Sequence, residues 1–184
     1  MFSIYRCLCL LALWGVAGCA APRVPEREWI LQPEIGASLI SAEAGDSTSL
    51  RAFGAGGKVL HHWGRFGLGV GAEYNVFDTR TLDDKPDAVS TALLGADVSV
   101  LSAEGRIRSS TNVGFAWLVQ GTELDEPGAL GFFWEVRAVT YRFKVADDLA
   151  LSFSPLSGLL IVPEPSGIPL VDIQYRVNFA VEFL

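Results

Sequence analysis

Basic charge, cysteine and histidine are all scarce in this sequence, and its one long apolar run is confined to the start. Fourteen Lys and Arg stand against 21 Asp and Glu, for a net charge of -7 and a pI of about 4.8. That excludes a nucleic-acid partner, which would require a basic stripe. The three cysteines are Cys7, Cys9 and Cys19. If the N-terminal segment is removed, at most one remains, so neither a disulfide framework nor a cysteine metal site is available. Beyond the N-terminus no apolar run reaches the roughly 20 residues of a membrane helix. No stretch follows a helical period, and no short motif recurs at fixed spacing, which argues against propellers and solenoids. G-x-S-x-G, H-E-x-x-H, Walker and dinucleotide-loop contexts are missing. "GLGVG" at 67–71 sits on a strand with no helix after it, so it is a packing feature. Yet half of the chain is hydrophobic, only 19% is charged and the mean hydropathy is +0.33. Grease so dispersed belongs to many short strands.

The first residues read as an export signal. Arg6 supplies a short positive region and Cys7 to Gly18 an apolar core too short to span a bilayer. "VAGC" (Val16, Ala17, Gly18, Cys19) resembles a bacterial lipobox, which implies acylation of Cys19 as the mature N-terminus. The alternative is ordinary cleavage after Ala20 or Ala21. The expected organisation is a signal peptide over 1–18, a polar tether over 19–27 and one domain over 28–184.

That domain divides into period-2 stretches separated by turn signals. Eight strands are expected at 28–42, 47–62, 65–78, 87–101, 104–120, 129–144, 147–162 and 167–184. The connections alternate between short turns ("HWGR", "AEGR", "ADD") and longer polar segments ("AEAGDS", "DTRTLDDKPD", "GTELDEPG", "VPEPSG"). Such alternation suits an up-and-down barrel in an outer membrane, with short periplasmic turns and long external loops. An even strand count returns both termini to the periplasmic side.

The faces are separable. Along 171–184, Val171, Ile173, Tyr175, Val177, Phe179, Val181 and Phe183 alternate with Asp172, Gln174, Arg176, Asn178, Ala180 and Glu182. The third strand sets Phe66, Leu68, Val70, Ala72, Tyr74 and Val76 against Gly67, Gly69, Gly71, Glu73 and Asn75. In the sixth, Glu135 and Arg137 lie on one parity and Thr140, Arg142 and Lys144 on the other, which requires a β-bulge near Ala138–Val139. The second is ambiguous around "GAGGKVLHH". A soluble barrel would turn the apolar face inward; a membrane barrel turns it to lipid. The polar face is rich in Gly, Ser, Ala and Asn rather than Lys and Glu, and small residues suit the crowded lumen of about eight strands. Its charges have both signs: Glu34, Glu73, Asp97, Glu135, Asp172 and Glu182 against Lys58, Arg106, Arg108, Arg137, Arg142 and Arg176. Paired, they would form a salt-bridged plug without a wide pore. Trp29, Trp63, Phe66, Phe143 and Phe183 fall near one end, and Tyr74, Trp117, Phe133 and Trp134 near the other, as two aromatic girdles would.

In this pattern residues 28–184 resemble the small outer-membrane barrels of the OmpA/OmpX type. "YRVNFAVEFL" also resembles their C-terminal assembly signal, with Phe183 in the terminal aromatic role and Leu184 after it. The resemblance implies an all-β, antiparallel up-and-down transmembrane barrel. It also implies a Gram-negative outer-membrane location with a periplasmic N-terminus. The expected partners are outer-membrane lipid, lipopolysaccharide and the barrel-assembly machinery, and the chain is expected to be a monomer.

Chemistry is sparse. His61 and His62 are strand neighbours and point to opposite faces, so they are poorly placed to chelate one metal. No cofactor and no metal are expected. Acidic clusters at Asp78, Asp83, Asp84 and Asp87, and at Glu123, Asp125 and Glu126, either are simply solvated, hold divalent cations at the lipopolysaccharide surface, or recognise a partner. The role expected is structural, adhesive or envelope-supporting. The alternatives are a lipid-anchored lipocalin-like barrel for an apolar ligand, and a lipid A-modifying enzyme using His and Ser.

Overall fold

The computed structural model describes residues 27–41, 49–78, 88–120, 128–162 and 174–184. The signal segment, Cys19, Asp172 and both acidic clusters apart from the backbone of Asp78 lie outside them. Eight strands follow in chain order: β1 Arg27–Ser41, β2 Ser49–Trp63, β3 Phe66–Asp78, β4 Ala88–Leu101, β5 Ile107–Gln120, β6 Leu130–Ala146, β7 Leu149–Val162 and β8 Gln174–Phe183. Each pairs antiparallel with its sequence neighbours, and β1 closes on β8, so the sheet is a closed barrel without free edges. Every connection joins adjacent strands, and the pairing of the first strand with the last completes the barrel.

The turns at one end are tight. Gly64 and Arg65 join β2 to β3, and Gly64 adopts a φ of 58° that a side chain would oppose. Residues 102–106 join β4 to β5, with Gly105 at φ 73°. Two residues join β6 to β7. Both the start of β1 and the end of β8 lie at this short-turn end, since Leu31 pairs with Phe183. All the longer connections lie at the other.

The alternation decides the faces. Trp29, Leu31 and Ile35 point outward while Gln32, Glu34 and Ser38 are buried inside. The ambiguous β2 resolves with Ala52, Gly54, Lys58, Leu60 and His62 inward. In β6 the register with β7 slips around Arg137, Val139 and Tyr141, placing the bulge where the change of parity requires one. Arg137 before it and Arg142 after it are both buried in the lumen.

The lumen has three layers, of which the polar-face pattern reveals only the middle one. Ile30, Leu60, Leu101 and Ala150 are buried at the short-turn end. A larger apolar cluster of Ala52, Phe77, Val89, Leu93, Ala116, Leu118, Phe133, Leu159 and Ile161 fills the long-connection end. The ionic residues run from beside the first group, where Glu182 pairs with Ala150 and Arg108 with Leu101, up to the second. Phe133 is thus no girdle residue: its side chain is inside, on the parity shared by Glu135 and Arg137. Arg106 is also displaced from the expected lumen. It belongs to the tight turn, half-exposed beside Glu104 at 3.6 Å.

Candidate functional site

The middle layer is the chemically distinctive part of the molecule. Glu34 on β1 and Glu135 on β6 converge on Arg137. The Arg137 guanidinium donates to both oxygens of Glu34 at 2.6 and 2.8 Å and to Glu135 at 2.8 Å. The Glu34 contact is a bidentate fork across the barrel, the geometry that Arg supplies and Lys does not. Lys58 on β2 donates to Asp97 on β4 at 2.7 Å and lies 3.7 Å from Glu135. Arg176 on β8 pairs with Glu73 on β3 and approaches Glu135 at 3.7 Å.

A second cluster lies toward the tight turns. Glu182 lies between Arg142 at 2.6 Å and Arg108 at 3.0 Å. Gln32 joins the clusters. Its carbonyl oxygen accepts from Arg108 at 2.6 Å, and its amide donates to Glu34 at 3.1 Å. The continuous network holds five acids (Glu34, Glu73, Asp97, Glu135, Glu182) and five bases (Lys58, Arg108, Arg137, Arg142, Arg176), so its formal charge is zero. Burying this many charges is tolerable only with such pairing.

Small residues make room for the long side chains. A Cβ on Gly54 would collide with the side chains of Glu73, Asn75 and Arg176, and one on Gly36 with Asn178 and Arg176. The void between Glu34, Lys58, Glu73, Asn112 and Glu135 is about 10 Å³, space for roughly one water. Among the described residues the network fills the middle of the lumen and binds the barrel walls to one another across the axis.

The outer wall is its inverse. Trp29, Trp63, Trp134 and Phe183 are exposed and Trp117 is half-buried. His61 points outward between Trp29 and Trp63, with ring centroids 4.5 and 4.3 Å away. Two polar groups on this wall find partners beside them. Ser109 Oγ donates to the Ala138 carbonyl at the bulge, and the Trp134 indole donates to Thr111 Oγ1 at 2.7 Å.

His62 lies inside with its Nε2 3.5 Å from Ser99 Oγ, a proximity across strands that sequence spacing does not reveal. Both side chains are buried and His62 Nδ1 has no hydrogen-bond partner. Among the described residues no acid orients the ring as a catalytic triad would require. Lys58, by contrast, sits at the centre of the network, from within the stretch whose parity the sequence leaves open.

No protein-family model and no curated protein sequence matches the chain. Among solved structures, its fold is similar to that of the Neisserial surface protein A crystal structure, with a TM-score of 0.58. The match covers 86% of this chain and 99% of that one at 8% identity. The similarity is one of fold: a closed, eight-stranded antiparallel barrel.

Proposed function

We propose that the chain is an outer-membrane β-barrel protein whose plugged lumen neither conducts nor catalyses, and whose role is structural or adhesive within the cell envelope. One observation carries this reading: among the described residues, 31 large apolar side chains, among them Trp29, Ile35, Val70, Phe132 and Phe179, are more than a third exposed on the outer wall, while ten charges are sealed inside. In water so large an apolar surface would drive association. In lipid it is the required exterior. Strands of 10 to 17 residues meet the roughly 9–11 that a tilted transmembrane strand needs. The long connections then face outward and the termini of the barrel face the periplasm.

The inward placement of the ionic face weighs against the lipocalin-like alternative, whose cavity for an apolar ligand would lie where Arg137 and Glu34 meet. The test is migration of the detergent-extracted membrane fraction before and after boiling. A closed membrane barrel shifts on boiling; identical migration, or recovery of the protein in the soluble fraction, refutes the reading. Planar-bilayer recordings test the plug, with no stepwise conductance expected.

A further inference from the structure

We propose that the outer wall carries a docking site for a phosphorylated, acylated glycolipid of the outer leaflet, its phosphate held by Arg51 and one acyl chain lying in a trough beneath. The inference rests on the membrane reading above. Among the strand side chains the structure describes, Arg51 is the charged group that faces outward. It is the third residue of β2, close to the long-connection rim, and among the described residues no ion pair or hydrogen bond engages it.

An apolar hollow of about 340 Å³ opens beside Arg51, walled by Ala37, Phe53, Leu156, Tyr175 and Val177. A second hollow, of about 510 Å³, lies below on the same four strands, walled by Ile35, Leu151 and Phe179. The depression has a structural cause. The β7–β8 register slips between Ser154 and Ser157, where Pro155 can donate nothing to the ladder. Opposite that slip, Ala37 and Ala55 present only methyl groups.

Charge complementarity names the occupant. An arginine on a lipid-facing wall costs little near the interface but returns nothing alone. A phosphate offers its guanidinium a charge-assisted, forked partner. A saturated chain attached to that phosphate runs down the wall and fills the hollows by dispersion contacts.

Native mass spectrometry of the folded barrel in mild detergent, titrated with diphosphoryl lipid A and with its dephosphorylated form, tests the site. Wild type is expected to retain the diphosphoryl form preferentially, and Arg51→Gln to retain it about fivefold less, as one interfacial arginine is worth. Both proteins should hold the dephosphorylated form equally. Ala37→Phe, which fills the trough, should weaken both lipids. Equal binding by wild type and Arg51→Gln, or no effect of Ala37→Phe, overturns the proposal. Each variant is first checked for the boiling-dependent shift. Failure of that shift in wild type sinks the membrane reading and the site with it, whereas an intact shift with equal lipid retention sinks the site alone.

Discussion

Replacing Arg137 with Met should destabilise the barrel severely although it substitutes a hydrophobic side chain for a charged one. Arg137 is fully enclosed and holds two carboxylates, Glu34 at 2.6 and 2.8 Å and Glu135 at 2.8 Å. With charge centres about 4 Å apart, each attraction is worth about 4 kcal/mol at an effective dielectric constant near 20. Desolvation of the guanidinium offsets part of this, because a buried ion costs several kcal/mol. What remains after substitution is a lumen of five acids and four bases, with Glu34 deprived of its salt-bridge partner. Breaking a buried pair in this way costs about 3–5 kcal/mol. Glu34→Gln combined with Arg137→Met leaves four of each sign and should recover much of that loss, a coupling of about 2–3 kcal/mol. Urea titration of the purified barrel in vesicles, read as the fraction retaining the unboiled migration, measures both values. A loss below about 1 kcal/mol for the single variant, or strict additivity in the double, would refute the plug as a bonded network.

Other substitutions probe the two faces and the walls. Val70→Arg puts a charge on the lipid side of β3 and should cost about 2–4 kcal/mol if it lies at the midplane, seen as loss of the boiling-sensitive band from the membrane fraction. Gly114→Ala should destabilise by about 1–3 kcal/mol, because its Cβ would meet the backbone of Leu94 and Gly95. Gly71→Ala should cost less, since its Cβ meets the Lys58 Cγ at 2.9 Å rather than backbone at closer range; urea midpoints rank the two. His62→Leu and Ser99→Ala should leave the lipid A profile of the cell unchanged by mass spectrometry, and an altered acylation pattern would revive an enzymatic role.

Strand number, order and most boundaries were legible because each strand alternates and each tight turn has its own signal. The β6 bulge was legible too, since Arg137 and Arg142 have opposite parities and both need partners. The apolar stoppers were not, because alternation identifies a polar face and is silent where both faces are greasy. Yet runs such as Phe77 after Val76, Leu93–Leu94 and Leu159–Val162 mark strand segments buried on one side and exposed apolar on the other, and with them Phe133 falls inside. Arg106 looked inward only because the fifth strand was extended to residue 104, whereas the turn runs to Arg106. The pairing of specific charges across the barrel was beyond reach. Glu34 and Arg137 are 103 residues apart, and their meeting depends on closure and stagger rather than on any local pattern.

The native tryptophans offer the most direct test of which face meets lipid. The barrel is reconstituted in vesicles whose acyl chains carry bromine, and its fluorescence is compared with that in unbrominated vesicles and with quenching by aqueous iodide. Trp29, Trp63 and Trp134 are exposed on the outer wall, so brominated chains should quench strongly and iodide weakly. Strong iodide quenching with indifference to brominated lipid would mean that this wall faces water.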